Sequence, residues 1–382
     1  MNLVIKVLKK PIAATVISIL LWFIVLTGIL LIANVNPAAA YEALFYGMFG
    51  NGKNIGNLIV KSTPIMLTGL GVAFAYKTGL FNIGAEGQYI MGTITTVIVA
   101  STFRLPAVLL IPMVIICGAA TGAVWGAICG YLKAKFCINE VITAIMLNWV
   151  AFYLNNYVAM KSCFNRPNSM TSVSVNDKSL IMLLPHWKKS VEGKAVLRSV
   201  PWLREFMSKD INFGIIIAIV LCLVMSYMLY NTAKGYELRA VGFNSDAAQL
   251  AGINVNKNLV LSMAISGAIC ALAGVCVVLG TGEHRIAQLG GFENNGFNGL
   301  AVAFIAMGSP IGCIFAGFLF GALLTGGAFA QGAIGTSSEI INIMIGTIVF
   351  FVALSSALPS IVAKLEKMQI KKAQSLEEAS KQ

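Results

Sequence analysis

Long apolar stretches without a charged residue alternate with short polar segments along this chain. A helix that spans a membrane needs roughly 20 apolar residues, and most of the stretches supply them. The stretch over 294–338 is long enough for two helices, with a turn at Ser309-Pro310-Ile311-Gly312. The pattern predicts an all-α polytopic membrane protein with about ten transmembrane helices. The stretches cover 11–41, 62–76, 87–103, 105–132, 141–160, 211–233, 258–282, 294–338 and 340–363.

Two of these stretches, 62–76 and 87–103, are short and flank a polar segment that contains Asn82 and Glu86. We therefore expect these two helices to be tilted, broken or re-entrant.

The first stretch resembles a secretory signal peptide, because lysines precede it and Pro37-Ala38-Ala39-Ala40 follows it. Its apolar core is longer than the 7–15 residues of a signal peptide, which favours an uncleaved anchor.

Composition agrees with a membrane protein. Apolar residues make up 58% of the chain and charged residues 11%, against roughly 25% charged residues in soluble domains. The mean hydropathy of +0.82 excludes an ordinary soluble enzyme and a disordered chain. A net charge of +12 suggests nucleic acid in a soluble protein. Here it is typical of the cytoplasmic edges of membrane helices, so we expect a lipid bilayer and no nucleic acid as partner.

Orientation follows from the distribution of Lys and Arg. A cytoplasmic N-terminus and ten crossings place fourteen of them inside and three on the short outer loops. Both termini, including a tail over 364–382, are then cytoplasmic. The segment 161–212 disagrees, because it is predicted to be an extracytoplasmic insertion yet carries nine basic and four acidic residues. At 52 residues, it is close to the length at which the rule weakens.

Glycines mark helix packing. A glycine recurs every four residues at Gly118, Gly122, Gly126 and Gly130, and the same spacing separates Gly317 from Gly321. Such stripes let two helix backbones approach closely.

A short internal echo is also present: Phe81-Asn82 and Phe297-Asn298 each precede a Met-Gly pair by ten residues. This echo is either a trace of an internal duplication, which is common in transporters, or chance.

Two polar segments are candidates for function. The first, 79–88, holds three glycines with Asn82, Glu86 and Gln88, and is either part of a substrate path or a tight cytoplasmic turn. The second, 233–257, contains a predicted short helix capped by Ser245 and ended by Gly252. It is either a docking surface for a soluble partner or an ordinary amphipathic connector.

Three ordered motifs carry a family resemblance: FNIGAEGQ at 81–88, GYELRAVGFNSDAAQLAGI at 235–253 and GFENNGFNGLAVAFIAMGSP at 291–310. They resemble signatures of the branched-chain amino-acid and sugar branch of ABC-importer permeases, most closely the nucleoside subgroup that works with basic-membrane-protein-type lipoproteins. Permeases of this subgroup come in pairs of unequal length. The long segment 161–212 makes this chain resemble the longer partner.

The resemblance implies a single permease domain over 1–382 with a type II-like ABC importer fold. An extracytoplasmic binding lipoprotein then delivers the solute, a second homologous permease completes the path as a heterodimer, and a cytoplasmic ATPase binds ATP and magnesium. The cytoplasmic coupling loop 233–257 docks on that ATPase, with Glu237 and Arg239 positioning it by ion pairing. The residues implied in ATPase coupling are Glu237, Arg239, Gly242, Ser245, Asp246, Ala247, Ala248, Ala251 and Gly252.

Polar side chains at membrane depth are candidates for the substrate path. Asparagine amides match the donors and acceptors of purines and pyrimidines, and phenylalanine rings can stack on a base. An interhelical hydrogen bond is the alternative role of each asparagine, and plain packing is the alternative role of each ring. The candidates are Phe81, Asn82, Glu86, Gln88, Asn148, Asn155, Asn156, Phe297 and Asn298.

Rival interpretations differ in substrate and in energy source. Similar permeases import riboflavin, simple sugars or branched-chain amino acids, and a secondary transporter driven by protons or sodium would need a carboxylate such as Glu86.

The spacing over Gly47–Lys53 resembles a P-loop, but Asn54 follows where Ser or Thr is required and no strand precedes it. We therefore expect no ATP site, no cofactor, no metal site and no catalytic residues in this chain.

Overall fold

Helices account for the regular structure of a computed structural model of the chain, which describes residues 11–184, 187–188, 190–335, 337, 339–340, 342–347, 350–351 and 354. The N-terminal lysines, much of the predicted helix at 340–363 and the predicted tail 364–382 lie outside the described residues. Within the described part, the strand-like features are isolated bridges such as Asn165–Ser172. The expectation of an all-α protein is confirmed for this part of the chain.

The first helices are α1 (Pro11–Ile32), α2 (Pro37–Phe49), α3 (Gly52–Lys77), α4 (Ala85–Thr102), α5 (Ala107–Phe136) and α6 (Glu140–Met160). Two short helices, α7 (Val191–Ser199) and α8 (Pro201–Met207), lie in the predicted insertion. The remainder are α9 (Gly214–Asn231), α10 (Ala233–Phe243), α11 (Ser245–Leu250), α12 (Val255–Gly280), α13 (Asn295–Ile305) and α14 (Pro310–Ile334).

Six of these helices, α3, α5, α6, α9, α12 and α14, are long and apolar enough to cross a membrane. Leu20–Ile32 and Pro37–Phe49 bend by 119° at their junction and together count as a seventh span at most within the described residues. Pro37 begins α2, as its fixed φ favours at a first helical position. The predicted total of about ten spans stays a prediction.

The stretch 62–76 is neither short nor broken, because it lies within α3, a continuous helix of 26 residues; its tilt stays a prediction. Asn51 accepts a hydrogen bond from the Asn54 amide and caps the helix. Lys53 and Lys61 then lie inside it, and the Lys61 ammonium reaches the Leu324 carbonyl at 3.4 Å. Counting only charge-free residues therefore cut a full-length helix short.

The expected break lies after α3. Buried, irregular backbone over 78–84 joins α3 to α4. The stretch 294–338 does hold two helices, but α13 has 11 residues and rises only about 16 Å. A hydrocarbon core of about 30 Å is too thick for α13 to cross alone.

Contacts divide the chain into two units, residues 1–47 with 326–382 and residues 48–325. In the first unit, the Tyr41 hydroxyl lies 3.0 Å from the Thr27 hydroxyl and donates to the Phe23 carbonyl at 3.1 Å. The Tyr46 and Phe329 rings are 5.3 Å apart. These contacts hold α1 to α2 and α2 to the end of α14.

The second unit is built around α12, which is buried against α3, α4 and α5. The predicted glycine stripe of α5 faces α12: a β-carbon at Gly122 or Gly126 would collide with the Gly267 or Met263 backbone. Gly317 and Gly321 likewise face Met66 and Ser62 on α3. The prediction that these glycines serve helix packing is confirmed.

Residues 161–212 pack at the end of α12 where that helix finishes. The Ser172 amide donates to the Ile286 carbonyl and the Val175 amide to the His284 carbonyl, both at 2.8 Å. The Asn212 amide group donates to the Gly280 carbonyl at 3.0 Å. Helices α10 and α11 immediately precede the opposite end of α12. The insertion and the predicted coupling loop therefore lie about 39 Å apart along that helix.

Candidate solute path and coupling segment

Asn82 is the centre of a buried polar network. Its Nδ2 donates to Gln88 Oε1 at 2.8 Å and to Ser266 Oγ at 2.7 Å, and its Oδ1 accepts from the Gly84 amide at 3.0 Å. Ser266 in turn donates to the Gly71 carbonyl. The network joins the 78–84 segment to α12 and α3. Asn82 and Gln88 are therefore satisfied by protein groups, and their place in a substrate path stays a prediction.

Glu86 connects the N-termini of two helices. It lies in the first turn of α4, and its carboxylate accepts from the Asn294 amide at 2.9 Å and the Gly296 amide at 2.6 Å. Those two amides lie at the start of α13. Unpaired amides and the helix dipole make a helix N-terminus favourable for a carboxylate. Glu86 is fully buried, so it holds α4 and α13 together.

The asparagines of α6 bind backbone. Asn148 Oδ1 accepts from the Gly87 amide at 2.8 Å, and its Nδ2 donates to the Ile83 carbonyl at 3.0 Å. Asn155 donates to the Ala287 carbonyl at 2.8 Å. Asn156 both donates to the Leu289 carbonyl and accepts from the Leu289 amide. Three asparagines on one helix thus fix the junction of the 78–84 segment with the first turn of α4 and the irregular segment around 287–289.

The two phenylalanines pack on other rings, Phe81 on Phe304 and Phe297 on Phe292, each with centroids 5.6 Å apart. Asn298 is half-buried within α13. Asn82 precedes its helix, whereas Asn298 lies inside one. The sequence echo between them therefore does not extend to equivalent local structure.

A cavity of about 380 Å³ lies beside these residues. Thr281 and Gly282, at the end of α12, line one part of it, and Tyr89 of α4 and Glu293 line another. Of the nine predicted path residues, Asn155 lines this cavity. Its polar lining includes both a carboxylate and hydroxyl groups.

Sequence reasoning missed several cavity residues, among them Tyr89, His284, Arg285 and Glu293. The charged residues Glu283, Arg285 and Glu293 separate the apolar stretches 258–282 and 294–338, so the sequence pattern predicts an outer loop between them. The structure brings it instead against α4: the Tyr89 hydroxyl donates to Glu293 Oε2 at 2.5 Å. A signal was present, because polar residues immediately before a glycine-rich helix are typical of broken helices in transporters.

The predicted coupling loop forms α10 and α11. The expected cap is wrong by one residue: Asn244 Oδ1 accepts from the Asp246 and Ala247 amides, and Ser245 is the first helical residue. Asparagine and serine are similarly good caps, so the residue types alone did not decide between them. The predicted stop is confirmed, since Gly252 has a φ of +83° just after α11.

Ion pairing positions Glu237. Its Oε2 accepts from the Lys234 ammonium at 2.7 Å and from Asn258 Nδ2 at 3.0 Å, which ties α10 to α12. The hydrogen bonds from Lys234 and Asn258 lower the pKa of Glu237 below its usual value, so this carboxylate is ionised at neutral pH. Arg239 forms no ion pair among the described residues. It lies over the Tyr230 ring at 5.3 Å as a cation–π contact, and its role in ATPase coupling stays a prediction.

Gly242 brings the coupling loop against the 78–84 segment. A β-carbon at this position would collide with the Lys77 carbonyl and the Gly79 amide. The neighbouring apolar side chains point away: Phe243 is 95% exposed and Leu250 is 91% exposed. Ala248 is buried, whereas Ser245, Asp246, Ala247, Ala251 and Gly252 are exposed. The loop thus combines tight backbone packing on one side with an exposed apolar surface on the other.

Comparison with known proteins identifies the family. A family model described as "Branched-chain amino acid transport system / permease component" matches residues 54–354. The chain belongs to this permease family. It is 38% identical over 342 residues to the guanosine ABC transporter permease protein NupP of Bacillus subtilis, covering 89% of this permease and 92% of that protein.

Two further relatives cover most of the permease. The nucleoside ABC transporter permease protein NupB of Lactococcus lactis is 33% identical, with 95% of this chain and 96% of that protein covered. The glucose ABC transporter permease protein TsgB13 of Haloferax volcanii is 30% identical, with 86% and 83% covered. No solved structure matches the chain. Family and apolar helices together make it a multi-pass membrane protein.

Proposed function

We propose that this chain is the transmembrane permease subunit of an ATP-driven importer of purine and pyrimidine nucleosides. The observation that carries the proposal is the similarity to a guanosine permease along 89% of the chain. A second relative with a nucleoside permease name covers 95% of it. Both similarities extend through the polar segment at 79–88 and the coupling loop, not only through the apolar stretches that any membrane protein shares.

The partners follow from this assignment. A second homologous permease completes the path as a heterodimer, and an extracytoplasmic lipoprotein delivers the nucleoside. A cytoplasmic ATPase supplies the ATP and magnesium chemistry, so this chain hydrolyses nothing itself. The exposed Phe243 and Leu250 support docking of the ATPase on the coupling loop 233–257, because a partner protein would remove these two large apolar side chains from water.

The topology follows from the same assignment. About ten helices in a type II-like arrangement form one permease domain in the bacterial cytoplasmic membrane. Both termini and the tail 364–382 are cytoplasmic. The insertion 161–212 is extracytoplasmic, which its position at the opposite end of α12 from the coupling loop supports. Contacts of the insertion with 284–288, a segment that contributes to the cavity lining, support this assignment.

A route for coupling runs through residues in contact. Gly242 of α10 packs on Lys77 and Gly79, and the segment that follows carries Asn82 and leads to Glu86. Glu86 holds the start of α13, next to Glu293 in the cavity lining. Movement of the coupling loop by the ATPase therefore reaches the cavity through a short chain of packed groups.

Sugar import is the second candidate, because the glucose permease relative is 30% identical. Uptake of labelled guanosine by cells with and without this gene, challenged with excess cytidine, ribose, glucose and riboflavin, separates the candidates. We expect gene-dependent uptake that cytidine and unlabelled guanosine suppress and the other three leave unchanged. Uptake that does not depend on the gene, or that glucose or riboflavin suppresses, would contradict a nucleoside importer.

A further inference from the structure

The cavity beside α4 extends into the helical bundle from the side of the insertion. The segment 281–294 follows the end of α12 and reaches the level of Thr68 on α3, whose hydroxyl donates to the Asn295 carbonyl at 2.9 Å. Thr68 lies nine residues before the end of α3 at Lys77. Irregular backbone at this depth is tolerated where it lines a polar cavity. The cavity therefore has the position of a path that descends toward the meeting point of α4 and α13.

Two carboxylates line this cavity. Glu283 pairs with Arg285 at 3.6 Å, whereas Glu293 pairs with no basic residue among those that the structure describes. One of its oxygens, Oε2, accepts from the Tyr89 hydroxyl, and Tyr89 is fully buried. The other oxygen, Oε1, has no hydrogen bond among the described residues, and the side chain is exposed to the cavity. Tyr89 thus fixes the carboxylate in one orientation and leaves an acceptor available to a ligand. Such pre-orientation lowers the entropic cost of binding.

Asn155 presents a second acceptor. The side chain is 2% exposed; its Nδ2 donates to the Ala287 carbonyl, and its Oδ1 accepts no hydrogen bond from the residues that the structure describes. A cavity with a fixed carboxylate and an amide oxygen suits a neutral solute with neighbouring hydrogen-bond donors. Its volume of about 380 Å³ lies within the range for small-molecule sites, roughly 300–1,000 Å³.

We propose that this cavity is a nucleoside-binding subsite in which Glu293, positioned by Tyr89, accepts hydrogen bonds from adjacent donors of the solute. The inference rests on the proposed function. Two parts of a nucleoside offer adjacent donors: the 2′- and 3′-hydroxyls of ribose, and the N1–H and N2–H groups of guanine. Both match a carboxylate acceptor, and the choice of solutes in the test distinguishes them.

Glu293→Gln tests the proposal, because an amide of the same shape keeps an acceptor for Tyr89 but loses the charge. We expect the KM for guanosine uptake to rise about tenfold, the effect of losing one charge-assisted hydrogen bond, while the maximal rate changes little. Tyr89→Phe should raise the KM less, and Glu293→Asp should restore part of the affinity. Glu192→Gln, an exposed carboxylate on α7, is the matched control at equal protein level in the membrane.

Two solutes identify the donors. If the ribose hydroxyls bind Glu293, the variant should lose its effect on 2′-deoxyguanosine; if the guanine edge binds it, the effect should vanish for inosine, which lacks the N2 amine. A KM of Glu293→Gln equal to that of Glu192→Gln for all three solutes would overturn the proposal. Absence of gene-dependent guanosine uptake by the wild type would instead contradict the proposed function, so the two failures are distinguishable.

Discussion

Asn82 and Glu86 show what a polar residue at membrane depth can be. Sequence reasoning selected both as unusual in an apolar context, and both are buried. It left open whether they contact solute or protein, because the partners, Ser266 and the α13 amides, lie 184 and 210 residues away in the chain. Glu293 shows the reverse case: its charge made it look like part of an outer loop, and only the tertiary contact with Tyr89 reveals its place.

Glu86 gives the residue-scale prediction. Glu86→Ala leaves the buried Gly296 amide and the part-buried Asn294 amide without their acceptor, and an unsatisfied buried amide costs about 1–3 kcal/mol. We expect the purified protein in detergent to unfold at a clearly lower temperature than the wild type, and Glu86→Gln to lose less because it keeps one acceptor oxygen. Glu192→Ala on exposed α7 serves as control. An unfolding temperature for Glu86→Ala equal to that of the control would refute the role of the carboxylate as a joint between α4 and α13.

Helix existence was predictable for most elements, and helix length for some of them, such as α6 and α12, but not for α3 and α13. Hydrophobic runs located α5, α6, α9 and α12, and the four-residue glycine spacing predicted which side of α5 packs on a neighbour. The run 62–76 underestimated α3, because a lysine side chain inside a helix can reach a carbonyl or the surface. The length of α13 was missed because hydropathy does not record where a helix starts within an apolar run.

Gly242 gives the element-scale prediction. A β-carbon there meets backbone atoms at Lys77 and Gly79 rather than a movable side chain, so Gly242→Ala must shift α10 away from the 78–84 segment. We expect the variant to reach the membrane at normal level, while nucleoside-stimulated ATPase activity of the assembled transporter falls at least severalfold. Gly28→Ala, where the added carbon meets no atom within 4 Å, is the control. Stimulation equal to that control would remove Gly242 from the coupling route.

On the scale of the whole molecule, the sequence motifs predicted the family, and full-length similarity to relatives confirmed it. The described residues hold six helices that are long and apolar enough to span a membrane and one bent pair. The described residues place the predicted insertion and the predicted coupling loop at opposite ends of α12. That arrangement is what an importer requires, since the solute arrives on one side and the ATPase acts on the other.

The most direct test of the account is gene-dependent uptake of labelled guanosine by intact cells whose proton and sodium gradients have been collapsed while ATP is maintained. An ATP-driven importer predicts that uptake persists at close to its original rate and stops when ATP is depleted. Uptake that disappears with the ion gradients while ATP is unchanged would contradict the account and indicate an ion-coupled transporter.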